Sequence, residues 1–225
     1  MIMTYRKMEG NFLLSENVPY IIVIESPALM CQFIEDLYST LNTSDDSFSL
    51  FLGEKKLNVP KIVDFIYNPF GIELNQKKII TKIYQQLEGT AEDAEFFQET
   101  LEMKNMLNKY VSGLLAVTEL PLVYDYNFQV SKLLSGLGIS LDQEIRLLDR
   151  LLQYVDLYNK ILGVELFIFY GLSNLFSQSD IEQFAKEVAY KKIYLVLLEN
   201  SLKDWFPKEK IKVVDKDLCV VMWHE

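Results

Sequence analysis

The sequence predicts an α/β protein, with a parallel-sheet head and a helical leg inserted into it. Three observations carry this prediction. Residues 20–25 (YIIVIE), 165–170 (ELFIFY) and 193–198 (IYLVLL) are short continuous apolar runs, as expected for strands covered by helices on both faces of a parallel sheet. The second and third runs flank an amphipathic helix, and strand, helix and strand over about thirty residues form a right-handed crossover unit. Between the first and second runs the β-branched stretches give way to helical periodicity, which dominates residues 75–163.

The opening residues, MIMTYRKMEGNF, lack the apolar core of a signal peptide. No run reaches the roughly 20 apolar residues that a bilayer requires. The expectation is a soluble, unprocessed, cytoplasmic protein with no membrane partner. The first strand runs directly into a helix start, where Ser26 can cap and Pro27 can take the first helical position. Leu29, Phe33, Leu37 and Leu41 then repeat every fourth residue, with Met30, Ile34 and Tyr38 beside them, which makes this helix amphipathic. Residues 47–52 and 55–59 read as a hairpin turning at Gly53-Glu54.

In the helical stretch, Asn75 can cap a helix ending near Gly89, and Thr90 a longer one reaching about Glu119. Phe97, Leu101, Leu107, Tyr110, Val111, Leu114 and Leu115 form one stripe on the longer helix. A shorter helix over 128–137 stops at Gly138. Ser140 and Gln143 open the next, with Leu141, Ile145, Leu148, Leu152, Val155 and Tyr158 inward and a stop at Gly163. The crossover helix, residues 179–191, starts with a capping-box pattern at Ser179 and Glu182. Residues 218–223 (LCVVMW) read as a last strand pairing with 211–214.

The chain of 225 residues, half of them apolar, can bury roughly 70 to 75% of its unfolded surface without a disulfide or structural metal. Cys31 and Cys219 have no metal-ligand spacing and suit a reducing compartment. A formal charge of −10 argues against an overall electrostatic grip on nucleic acid but leaves room for a local basic surface.

The first strand resembles one that feeds a phosphate loop, yet no loop follows. Phosphoryl transfer on such a scaffold needs backbone amides around the phosphates, a lysine and a magnesium-binding hydroxyl. After Glu25 the chain offers Ser-Pro-Ala-Leu-Met. Pro27 removes an amide, Glu25 repels phosphate, and the next lysine is Lys55. The strand placed to carry a magnesium-binding aspartate ends in Tyr170-Gly171. The head is therefore P-loop-NTPase-like in layout, without a phosphate loop and without a bound nucleotide.

His224 is the only histidine and is penultimate, which leaves histidine acid-base catalysis, a serine triad or a His-ligated zinc almost nothing to use. Glu92, Asp93, Glu95, Glu99 and Glu102 offer carboxylates to a divalent cation, but such a cluster on an early helical turn more often forms a solvated face that complements the dipole. Basic residues group locally: Lys55-Lys56; Lys77-Lys78 with Lys82; Lys191-Lys192; and Lys203, Lys208, Lys210 and Lys212. Lys78 and Lys82 lie one helical turn apart and share a face.

The order of elements resembles one family, the type II-A CRISPR-associated Csn-two proteins of spacer acquisition. The resemblance spans nearly the whole chain. It rests on residues 11–38 (NFLLSENVPYIIVIESPALMCQFIEDLY), 62–74 (IVDFIYNPFGIEL), 79–88 (IITKIYQQLE), 133–139 (LLSGLGI), the strands at Phe167 and Tyr194, and 196–217 (VLLENSLKDWFPKEKIKVVDKD). It implies a discontinuous head over 1–72 and 164–225 and a helical leg over 73–163. It also implies a homotetrameric ring whose lysine-lined channel holds double-stranded DNA and favours free ends, working with the CRISPR integrase complex and the type II effector nuclease. The family's calcium ligands fall in an acid-rich segment that corresponds to residues 119–126. Glu119 and Asp125 match it, whereas Pro121, Val123 and Tyr126 stand where acids are usual.

Four such chains carry about −40 together, but inward-facing copies of one basic patch still make a positive channel. The expected function is therefore non-enzymatic, sequence-independent double-stranded DNA binding, with Lys77, Lys78 and Lys82 on phosphates and Lys132 behind them. The alternative is a degenerate P-loop-like scaffold that joins partner proteins in a DNA-processing complex and never touches DNA. A divergent NTPase or metal nuclease finds little support in these residues.

Overall fold

A computed structural model of the chain describes every residue except 44, 143–145, 208, 209, 218 and 223–225. Gln143, Ile145, Lys208, Leu218, Trp223 and His224, to which the sequence assigns caps, core positions or charge, lie outside the described residues. In order, the elements are β1 (Ile2–Tyr5), β2 (Phe12–Leu13), β3 (Tyr20–Ile24), α1 (Pro27–Thr43), β4 (Phe48–Leu52), β5 (Lys55–Leu57), α2 (Val59–Ile62) and β6 (Val63–Ile66). Three helices follow, α3 (Lys77–Glu92), α4 (Phe97–Ala116) and α5 (Val130–Gly136). The chain then forms α6 (Leu147–Leu162), β7 (Leu166–Tyr170), α7 (Gln178–Tyr190), β8 (Tyr194–Glu199), β9 (Ile211–Val214) and β10 (Val220–Met222). It divides into two compact units, a larger one, Met1–Ile72 with Gln143–Glu225, and a smaller one, Glu73–Asp142.

The larger unit is built on five parallel strands in the order β9-β3-β8-β7-β6, with β10 antiparallel on the outer side of β9. The three apolar runs of the sequence are β3, β8 and β7, which lie side by side. Every residue of β3 is buried, because helices or loops cover both of its faces. On one face Ile22, Ile24, Ile168, Val196 and Leu198 join Met30, Phe33 and Leu37 of α1. Phe33 also meets the rings of Tyr5 and Phe48 edge-on, with centroids 5.0 and 4.9 Å away, which links α1 to a second, antiparallel sheet in the order β2-β1-β4-β5. On the other face Phe167 packs against Tyr154 of α6, and Phe169 against Phe184 of α7. Fully burying one such side chain contributes about 1.5–3 kcal/mol.

Several local expectations are corrected. The capping box of α7 is formed by Ser177 and Asp180, not Ser179 and Glu182: the Ser177 hydroxyl accepts from the Asp180 amide at 3.3 Å, and the Asp180 carboxylate from the Ser177 amide at 3.2 Å. Thr90 lies within α3, and its hydroxyl donates to the Gln86 carbonyl rather than capping α4. Asn75 does not cap α3. Its side chain exchanges two hydrogen bonds with the backbone of Leu141, at 2.8 and 3.0 Å, and so ties the two ends of the smaller unit together.

Residues 147–163, which helical periodicity assigns to the leg, pack in the larger unit. That periodicity says that α6 has a buried side, here Leu148, Leu151, Tyr154, Val155 and Tyr158, but not which layer it packs against. In the smaller unit α3 packs on both α5 and α4. The apolar stripe of α4 is not a core: none of its 20 residues is buried, and Phe97, Leu101, Tyr110 and Leu114 are exposed.

Candidate functional site

At the end of β3, where a phosphate loop belongs in a P-loop layout, three of the backbone amides already have partners. The Glu25 amide donates to the Val214 carbonyl at 2.9 Å, Pro27 has none, and the Leu29 and Met30 amides bond to the Ser26 hydroxyl and carbonyl. The Ser26 cap and the Pro27 helix start stand as expected. They leave a tight turn in which helix α1 begins against the strand, with a carboxylate at Glu25 where phosphate charge would sit.

Along the same C-terminal edge, a residue that sequence reasoning missed closes the neighbouring crevice. Glu199 ends β8 and is fully buried. Its carboxylate accepts the Ser173 amide at 3.0 Å and the Ser173 hydroxyl at 2.6 Å, just past Gly171, whose φ of +70° turns the chain after β7. Burial pushes the Glu199 carboxyl above its ordinary value, and the Ser173 hydrogen bonds work against that rise. Ligands of open parallel sheets bind at this edge, and here a side chain of the protein fills part of it. The only signal in the sequence was an acid closing an apolar strand.

The basic groups have separate fates. Lys56 pairs with Asp46 at 3.3 Å. Lys191 and Lys160 both reach Asp156 at 2.7 Å, and although burial raises that carboxyl, their hydrogen bonds hold it below the ordinary carboxylate value. Lys212 is buried, donates to the Glu9 and Gly10 carbonyls and lies 4.4 Å from the centre of the Phe12 ring, so it fastens the N-terminal strands rather than facing solvent. Lys77, Lys78 and Lys82 on α3 and Lys132 on α5 are all exposed.

Helix α5 runs antiparallel to α3. The Ser131 amide donates to Glu88, and at its other end the Ile139 carbonyl accepts from Tyr84. Lys132 therefore stands level with Glu88, about 9 Å along α3 from Lys82, rather than directly behind the other three. The exposed lysines are thus spread over two adjacent helices, with Glu88 between them.

Glu119 and Asp125 are exposed in the segment that joins α4 to α5, and one Asp125 oxygen accepts the Asn127 amide at 2.9 Å. Among the described residues no three His, Cys, Asp or Glu side chains converge as a metal site. Calcium takes six to eight oxygens, and two carboxylates, one of them turned onto its own backbone, do not fit that demand. The acids from Glu92 to Glu102 are exposed, and Glu102 accepts a hydrogen bond from Gln98. No helix among the described residues is long and apolar enough to cross a membrane.

These features define a mixed α/β protein with a parallel sheet of five strands and an inserted helical unit. The family model described as CRISPR-associated protein (Cas_Csn2) matches residues 42–218, and the chain belongs to that family. A search of curated proteins gave no match. Among solved structures, a Pyrococcus furiosus chain that carries the name ABC transporter (ATP-binding protein) is 10% identical over 91% of this chain and 90% of its own, with a TM-score of 0.36. Likeness at that level carries no argument.

Proposed function

We propose that this CRISPR-associated protein binds double-stranded DNA without reading its sequence, as a non-enzymatic, ring-forming homotetramer acting in spacer acquisition beside the integrase complex and the effector nuclease. The observation that carries the DNA reading is that Lys77, Lys78, Lys82 and Lys132 are all exposed on α3 and α5, two helices that pack together in the smaller unit. Flexible ammonium groups along helices suit phosphates, which give position and charge without base identity. The exposed apolar side chains of α4, Phe97, Leu101, Tyr110 and Leu114, support self-association. The blocked strand-helix turn at Glu25 to Pro27 supports a P-loop-like head that has no nucleotide to hydrolyse.

One observation favours the scaffold reading. An apolar groove of about 540 Å³ runs beside α7 on the larger unit, walled by Ile181, Ala185 and Trp205 over Ile21 and Leu197, and such a surface suits a protein partner. Binding of a linear duplex, followed by fluorescence anisotropy at low salt, separates the two. The proposal expects binding that Lys77→Glu, Lys78→Glu and Lys82→Glu together abolish. A wild-type chain that shows no affinity for linear duplex, yet still binds its protein partners, rejects it in favour of the scaffold.

A further inference from the structure

Residues 117–129, between α4 and α5, fold back along α4 and are held there by side chains. Asn108 and Ser112 lie one turn apart on α4. The Tyr124 hydroxyl donates its single hydrogen to the Asn108 carbonyl at 3.0 Å, so the 2.7 Å contact with Ser112 is a bond in which Ser112 donates and Tyr124 accepts. Two residues further on, the Asn108 side-chain amide donates to the Tyr126 carbonyl at 3.0 Å. The Tyr124 and Tyr126 rings lie 4.3 Å apart. Within the segment, the Asp125 carboxylate takes the Asn127 amide, and the Leu120 amide donates to the Thr118 hydroxyl.

This is the stretch in which the family implies calcium. Two of its oxygens have other uses: the Tyr126 carbonyl and one Asp125 oxygen accept protein hydrogens, while Pro121 and Val123 supply no side-chain oxygen at all. We infer that a tyrosine latch, built from Tyr124, Asn108 and Ser112, fastens this segment to α4 in place of a cation, so that the leg of this protein holds its shape independently of calcium. The inference stands apart from DNA binding. A hydroxyl and an amide between neutral groups replace an ion that binds and leaves with its concentration, so the segment is fixed rather than switched.

The test is hydrogen–deuterium exchange of the full chain, read on peptides covering 117–129, with millimolar calcium and with a chelator. Wild type is expected to exchange at the same rate in both. Tyr124→Phe, which keeps the ring and removes the hydroxyl, is expected to speed exchange there about fivefold, the change in opening that the loss of one hydrogen bond brings, equally with and without calcium. Ser112→Ala gives a smaller acceleration, and peptides from the parallel sheet do not change in either variant. Slower exchange of the wild-type segment in calcium overturns the inference. So does a Tyr124→Phe segment that exchanges at the wild-type rate.

Discussion

Ser173 gives both its amide, at 3.0 Å, and its hydroxyl, at 2.6 Å, to the buried carboxylate of Glu199. Glu199 ends β8 and Ser173 lies in the turn that follows the adjacent strand β7, at the edge where an open parallel sheet leaves its ligand crevice. The left-handed backbone at Gly171 turns the chain after β7 so that the Ser173 amide and hydroxyl both reach this carboxylate. An internal carboxyl group thus occupies the Ser173 donors, which accounts for an acid inside a core of Phe, Leu and Val.

Glu199→Ala leaves the Ser173 amide and hydroxyl without their acceptor, and should lower stability by roughly 1–3 kcal/mol in urea denaturation. Glu199→Gln keeps an acceptor oxygen and should cost less. The pair also has a pH signature. Burial raises the folded carboxyl above the ordinary 4.5, so the folded state holds this proton more tightly than the unfolded chain does. Stability from this group is complete below the unfolded value and falls as pH rises through the folded one. The stability advantage of wild type over Glu199→Gln should therefore be greatest in acid and shrink towards neutral pH. An advantage that stays constant over that range contradicts the assignment.

Two serines two residues apart give a sharper local test. Ser177 caps α7 and Ser179 does not, so Ser177→Ala should cost about 1 kcal/mol, whereas Ser179→Ala should stay within about 0.5 kcal/mol of wild type. Equal losses in thermal denaturation would show that the cap has been assigned to the wrong serine.

The contrast between these serines shows what a sequence reveals here and what it hides. β3, β7 and β8 were legible because both faces are buried and so every position but Glu199 at the end of β8 is apolar. β6 was not: Asp64 interrupts it, and a tertiary bond from the Tyr154 hydroxyl, 2.6 Å long, helps make a carboxylate welcome there. β1 and β2, four and two residues long, are too short to show a period. At the candidate site the identity of the basic residues was legible but their grouping was not. Whether Lys132 stands beside Lys78 or Glu88 depends on the direction in which α5 packs, and the fate of Lys212 on a chain segment some two hundred positions away. The unfilled stripe of α4 gave the opposite error, since helical periodicity predicts an apolar face without saying whether this chain covers it.

For the exposed lysines, the measurable quantity is a slope. If Lys78 and Lys82 each neutralise one phosphate, replacing both by alanine should lower the magnitude of the log-affinity against log-salt slope by about 0.9 per contact. The effect should be the same on duplexes of unrelated sequence, because no base edge is read. An unchanged slope would place the contacts elsewhere, and a loss confined to one sequence would argue against backbone recognition.

The α4 stripe makes the last prediction. Tyr110 and Leu114 lie one turn apart with 63% and 48% of their surfaces exposed, on a helix without a buried residue. Burying such side chains contributes about 1.5–3 kcal/mol each, and a two-fold contact counts every residue twice. Tyr110→Glu with Leu114→Glu places four carboxylates in that contact and should reduce the mass seen by light scattering to that of a smaller species. Helical circular dichroism should be unchanged, since neither side chain supports a core within its own subunit. A double variant that keeps the wild-type mass would remove α4 from the assembly surface, and a wild-type chain already monomeric at the same concentration would remove the ring.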